Sequence, residues 1–123
     1  MLEHKHFIAC GYSKNDFRDF EVINNWSVRL IDALGMKVLD GPYTLYSDIE
    51  DNVGLTSFTL LTTSHLVIHT FEEANGVSKV EFDVYSCSAI DVNVVVEFLK
   101  ELDVQNIKYK FLDRDTDLTQ SAT

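Results

Sequence analysis

The stretch from residue 65 to residue 87 constrains the possible fold more than any other part of the chain. Apolar and polar side chains alternate strictly over 79–87, "KVEFDVYSC", which predicts a half-buried β-strand. The segment 65–71, "HLVIHTF", has the β-branched and aromatic residues that sheets favour. Asn75-Gly76 lies between the two segments and is the strongest hairpin signal in the sequence. An antiparallel hairpin in the middle of the chain is therefore the first prediction.

The rest of the 123-residue chain predicts further strands and two helices around this hairpin. Gly35 is the expected stop of the first helix, and Ser88 or Asp91 is the expected cap of the second. The order β-α-β-β-β-β-α-β predicts an α+β two-layer sandwich, with a mostly antiparallel sheet and both helices on one face. We expect a single domain, 1–123, with a flexible tail at 114–123. The predicted strands are 4–12, 36–41, 55–62, 65–71, 79–87 and 106–113, the helices 21–34 and 88–103, the loop 43–54 and the turn 72–78.

The composition narrows the class of protein. With 20 acidic against 10 basic residues the chain has a formal net charge of −10, and an acidic surface repels a nucleic-acid backbone. The sequence has no run of 18 apolar residues and no secretory signal pattern, so we expect a cytoplasmic protein without membrane contact. Cys10 and Cys87 are the only cysteines, and we expect both to be reduced. Because there is no C-x-x-C motif, the sequence predicts no zinc site of that kind, and we assign no metal ligand.

Side-chain alternation puts an unusual set of residues on the second face of the predicted hairpin. This face is too polar for a core and too aromatic for open solvent, so a second copy of the chain or a substrate cleft would explain it. We expect a homodimer. Ser64 has the opposite parity, and it must lie at a turn or bulge if it is to reach His69. The residues predicted to share this face are His65, His69, Lys79, Glu81, Asp83, Tyr85 and Cys87.

Each of these residue types also has an ordinary explanation. Most histidines in strands are structural, a buried cysteine behaves as a small apolar residue, and serine at the start of a strand is common turn chemistry. A serine hydrolase is the obvious enzymatic alternative, but no G-x-S-x-G elbow surrounds Ser64. The residues taken alone therefore leave the function open.

A resemblance to a known family changes this balance. The stretch "SHLVIHTFEE", followed after a short turn by "FDVYSC", resembles the signature of the small prokaryotic S-adenosylmethionine decarboxylases, with the same order and spacing. The upstream "VGLTSFTLLTTS" is similar to the glycine-containing apolar run that leads into the family's serine. The specific part of the likeness covers residues 53–87.

The resemblance implies that the chain cuts itself and makes its own cofactor. Such proteins are proenzymes, and the matching bond is Thr63–Ser64, which would give a β chain, 1–63, and an α chain, 64–123. Ser64 would become a pyruvoyl group, which forms a Schiff base with the substrate amine and accepts electrons as CO₂ leaves. By the same resemblance His69 assists proton removal during processing and Thr56 supports it. Cys87 is similar to the family's catalytic acid.

The resemblance also suggests the substrate-binding residues. Glu73 matches a glutamate that holds the ribose of S-adenosylmethionine, and Tyr46 or Tyr43 would supply the aromatic that stacks on adenine. The chain departs from the family at Thr63, where glutamate is usual, and at Glu50, where an aromatic is expected. The expected function is decarboxylation of S-adenosylmethionine for spermidine synthesis.

Two alternatives stay open at this point. A pyruvoyl-dependent decarboxylase of ornithine or arginine would use Glu50 to pair with the substrate's terminal amine or guanidinium. A non-processing, catalytically inactive homologue would act as a binding partner instead, and Thr63 and Thr56 keep that possibility open.

Overall fold

The computed structural model describes residues 3–115 and 118–120 of the chain. One six-stranded sheet has the order β2-β3-β4-β5-β1-β6, and every neighbouring pair is antiparallel. The predicted α+β class and the predicted order of elements are confirmed. The elements are β1 (Lys5–Ser13), α1 (Phe20–Ala33), β2 (Val38–Ile49), β3 (Asn52–Leu61), β4 (Ser64–Glu72), β5 (Ser78–Ser86), α2 (Val92–Glu101) and β6 (Gln105–Asp113), with a short 3₁₀ turn at Ala74–Gly76.

Both helices pack on one face of the sheet through their apolar stripes. Trp26 of α1 is fully buried and its indole nitrogen donates a hydrogen bond to the carbonyl of Phe98 in α2 (2.8 Å), which ties the helices together. Asp91, and not Ser88, caps α2, because its carboxylate accepts the amides of the first turn. The predicted start at residue 88 is therefore wrong by four positions, since the helix begins only after the cap.

The central hairpin has the predicted alternation. On the helix side Leu66 pairs with Val84 and Ile68 with Phe82, and all four are buried. The other face of the sheet, which no helix covers, is called the open face below. Asn75 and Gly76, with φ of 66° and 70°, lie in the connecting turn.

The predicted loop at 43–54 is wrong. Strand β2 continues past Pro42 to Ile49, and β3 begins at Asn52, so only two residues form the turn between them. Strand β2 is an edge strand with two register shifts, which lets it accommodate a proline that a central strand would exclude. The acidic and amide residues near the turn predict a longer loop, but only residues 50 and 51 form the turn.

The end of the chain follows the edge of β6 where it is described. The amide of Asp113 donates to the carbonyl of Thr119 (2.8 Å), and Gln120 forms an isolated bridge with Leu112. The predicted flexible tail includes 116–117 and 121–123, which lie outside the described residues. Within the described part of the chain no helix is long and apolar enough to cross a membrane.

Candidate functional site

Ser64 lies at the start of β4, directly after a tight turn. Leu61 and Ser64 are paired across the β3–β4 hairpin, so Thr62 and Thr63 form its two-residue turn. Thr63 has a φ of 57°, a left-handed conformation that is unfavourable for a β-branched residue. Backbone strain of this kind costs of order 1–3 kcal/mol and concentrates at functional sites. The bond predicted to be cut therefore follows a strained residue.

Cys87, one residue beyond β5, is brought against this turn. Its amide donates to Ser64 Oγ (3.2 Å), and its sulfur lies 3.8 Å from the same oxygen. The hydroxyl of Thr63 is 2.7 Å from Cys87 Sγ. The tertiary structure thus brings together Thr63, Ser64 and Cys87, and this group is called the serine–cysteine site below.

The same contacts change the acidity of the thiol. The hydrogen bond with Thr63 and then that with Ser64 hold the pKa of Cys87 below its ordinary value of 9.0, and they outweigh the opposing effect of burial. A pKa closer to neutrality suits a group that must exchange a proton during a reaction.

His69 and Thr56 form a second group on the open face. They are cross-strand partners, and Thr56 Oγ1 lies 2.9 Å from His69 Nδ1, which leaves Nε2 of the ring free of that bond. His69 is also the cross-strand partner of Glu81 on β5. Five residues of extended β4 separate His69 from Ser64, a distance of roughly 16 Å along the strand. Ser64 does lie at a turn, as a contact with His69 would require, but within one chain the two residues do not meet.

The predicted substrate-binding residues divide between two places. Tyr46 and Glu73 line a cavity of about 200 Å³ between the β4–β5 turn and the segment that precedes α1, at the opposite end of β4 from Ser64. The hydroxyl of Tyr46 donates to Glu72 (2.6 Å), which also receives two hydrogen bonds from Arg18 (2.8 and 3.3 Å). These two partners, Arg18 first, lower the pKa of Glu72. Glu50 lies outside this cavity, exposed in the β2–β3 turn.

Sequence reasoning missed a third group on the open face. His6, His65 and Asp83 offer three ligand atoms within 4.8 Å of one another. Burial opposes ionisation of Asp83, but the hydrogen bond from His6 and nearby positive charges outweigh it, so the pKa of this carboxyl lies below its usual range. Alternation had placed His65 and Asp83 on one face, whereas the pairing of β1 with β5 could not be read from the sequence.

Comparison with known proteins gives two positive findings. The sequence model of the family "S-adenosylmethionine decarboxylase" matches residues 5–115. The structure is similar to the crystal structure of the adenosylmethionine decarboxylase from Aquifex aeolicus VF5, with a TM-score of 0.71 and 20% sequence identity over 99% of this chain and 98% of that one. No curated protein matches the sequence.

Proposed function

The chain belongs to the S-adenosylmethionine decarboxylase family, and from this membership we propose that it cleaves itself at Thr63–Ser64 and then decarboxylates S-adenosylmethionine. Decarboxylases are carboxy-lyases, so the predicted enzyme class agrees with the family. The observation that carries the proposal is the serine–cysteine site, because it joins the two residues that processing and catalysis need. The decarboxylated product would serve as the aminopropyl donor for spermidine.

The proposed cleavage begins with an N-to-O acyl shift at Ser64. Ser64 Oγ attacks the carbonyl carbon of Thr63, the C–N bond breaks, and the amide nitrogen takes the proton, which leaves an ester. A base then removes the Cα proton of Ser64, and the Cβ–Oγ bond breaks to release residues 1–63 as a carboxylate. Tautomerisation and addition of water expel ammonia from the new N-terminus. Strain at Thr63 favours the cut, because cleavage frees its left-handed backbone.

Position 64 fits the pyruvoyl group that the family uses. The amide of Cys87 points at Ser64 Oγ, the atom that processing must activate and expel. A pyruvoyl group supplies a ketone that withdraws the electrons released when CO₂ leaves. Cys87, with its lowered thiol pKa, is the proposed donor of the proton that replaces CO₂.

A homodimer would bring His69 of one chain close to Ser64 of the other. We propose that the open faces of two chains pack together, so that His69 of one protomer reaches the serine–cysteine site of its partner. The open face carries the exposed or half-buried apolar residues Ile8, Leu60 and Val67 beside its polar groups, as a covered surface would. Closed twofold symmetry would then make two equivalent sites.

The described contacts favour S-adenosylmethionine over a basic amino acid. Tyr46 and Glu73 share one cavity, and an aromatic ring beside a carboxylate suits a nucleoside with free ribose hydroxyls. Glu72 in this cavity lies eight positions along β4 from Ser64, roughly 26 Å, so within one chain the cavity does not adjoin the serine–cysteine site. Glu50, the residue proposed to pair with ornithine or arginine, belongs to an exposed turn outside that cavity.

Two measurements on the purified protein test the proposal. Intact mass should give two fragments split after Thr63, with a blocked N-terminus on the second, while Ser64→Ala stays whole. Release of CO₂ from carboxyl-labelled S-adenosylmethionine, ornithine and arginine should be fastest, by kcat/KM, with the first. A wild-type chain that stays uncut would support the inactive homologue, and faster release from either amino acid would overturn the substrate.

A further inference from the structure

The centre of the open face carries a cluster that the proposed reaction does not use. His65 on β4 and His6 on β1 both lie directly opposite Tyr85 on β5, and Asp83 lies two residues before Tyr85 on the same face. Nε2 of His6 lies 2.6 Å from Asp83 Oδ1, and Nε2 of His65 lies 3.5 Å from it. Three adjacent central strands hold these groups, which positions them more rigidly than loops would.

We propose that His6 Nε2, His65 Nε2 and Asp83 Oδ1 bind one divalent transition-metal ion of the Zn²⁺ type. Imidazole nitrogen and carboxylate oxygen are ordinary Zn²⁺ ligands at about 2.0–2.2 Å, so three donor atoms within 4.8 Å can close on one ion with little movement. Three protein ligands leave one tetrahedral position, which in the proposed homodimer would face the partner chain. This proposal replaces the sequence-based expectation of no metal ligand, and it does not depend on the proposed decarboxylation.

Arg114 sets a specific condition for binding. Its Nη1 lies 3.3 Å from His6 Nδ1, and a guanidinium can only donate, so His6 without metal accepts at Nδ1 and carries its proton at Nε2. When Nε2 of His6 coordinates the metal ion, that proton must move to Nδ1. Nδ1 and the guanidinium of Arg114 are then both donors and oppose each other. Arg114 is exposed and lies over the ring of Tyr85 (4.4 Å), so it can turn aside at a cost. Removing it should therefore strengthen metal binding.

Competition with a chromophoric chelator tests the site on full-length protein that has first been stripped with EDTA. We expect one equivalent of Zn²⁺ per chain, at least about tenfold weaker binding in His65→Gln and Asp83→Asn, and tighter binding in Arg114→Gln. His4→Gln is the matched control, because His4 belongs to the same region but not to the trio, and it should bind as the wild type does. A Cys10→Ser/Cys87→Ser chain should also keep the site.

A second readout guards against misfolded variants. Zn²⁺ should raise the melting temperature of the wild type and of His4→Gln but not of His65→Gln, since only a ligand that binds the folded state stabilises it. Circular dichroism checks that each variant is folded. The proposal would be overturned if the wild type did not bind Zn²⁺. It would also be overturned if His65→Gln and Asp83→Asn bound Zn²⁺ as tightly as the wild type does. Loss in the double cysteine variant would also overturn it, because it would assign the ion to thiolates.

Discussion

The two ends of β4 differ in how many of the groups proposed to react they bring together. At its start, Cys87 lies within hydrogen-bonding range of both Thr63 and Ser64, so the proposed nucleophile, scissile carbonyl and acid belong to one chain. Further along, His69 contacts the Thr56 hydroxyl and is paired with Glu81, and it does not reach the serine–cysteine site. The start of the strand therefore brings together the groups proposed to react, whereas His69 lies apart from them within one chain.

If Ser64 and His69 serve one reaction, β4 carries two parts of a site that it cannot itself bring together. An extended strand keeps residues five positions apart at roughly 16 Å, and no side-chain rotation removes that distance. A second chain on the open face is the simplest means of bringing the halves together.

The largest expected effect comes from mixing two inactive variants. Ser64→Ala lacks the cofactor precursor and His69→Ala lacks the imidazole, so each alone should lose nearly all decarboxylation. Co-expressed in equal amounts, they should recover about one quarter of the wild-type activity, because half of the dimers are mixed and each has one intact site. The measurement is CO₂ release per chain.

The mixing experiment has its own control. Ser64→Ala co-expressed with Cys87→Ala should recover nothing, because both residues belong to the same end and every site then lacks one of them. If the Ser64→Ala and His69→Ala pair also stays inactive while both proteins are folded and dimeric, the two halves do not meet between chains.

Cys87→Ala sharpens the comparison within the serine–cysteine site. Loss of a general acid should reduce decarboxylation roughly 10²–10⁴-fold, whereas cleavage at Thr63 should persist because Ser64 and its scissile carbonyl remain. Mass spectrometry follows cleavage, and CO₂ release follows turnover. A loss of less than about threefold would make Cys87 a structural residue.

Tyr46 tests whether the cavity near Glu73 belongs to the site. If its ring stacks on adenine, Tyr46→Ala should raise the KM for S-adenosylmethionine about 5- to 150-fold, the equivalent of roughly 1–3 kcal/mol. Tyr46→Phe keeps the ring and should stay close to the wild-type KM. Tyr43→Ala is the control, since Tyr43 is an exposed tyrosine outside the cavity. Equal effects at both tyrosines would remove Tyr46 from the site.

The smallest expected effect is a shift in thiol acidity. In the uncut Ser64→Ala chain, adding Thr63→Val removes the hydroxyl that contributes most to the lowered pKa of Cys87. Because the thiolate is the reactive form, the pH profile of Cys87 alkylation should move to higher pH. Peptide mass spectrometry separates Cys87 from Cys10. An unchanged profile would mean that Thr63 does not stabilise the thiolate.

Some of the errors made from the sequence have a common origin. Polar residues predict both the loop at 43–54 and the early start of α2, yet only two residues form the β2–β3 turn and only Asp91 caps the helix. Polarity marks exposure, and an edge strand such as β2 is exposed while still hydrogen-bonded to its neighbour. Boundaries therefore depend on pairing partners that composition does not reveal.

The sequence alone determined the central hairpin, the α+β class and the family, because alternation, caps and motif spacing are local properties of the chain. The position of β1 between β5 and β6, which puts His6 beside Asp83 and His65, is visible only in the folded structure. The same is true of the contact between Cys87 and Ser64 and of the separation of His69 from both. Strand order and register come from long-range packing, where one residue of shift changes the face of every side chain, and no local pattern contains that information.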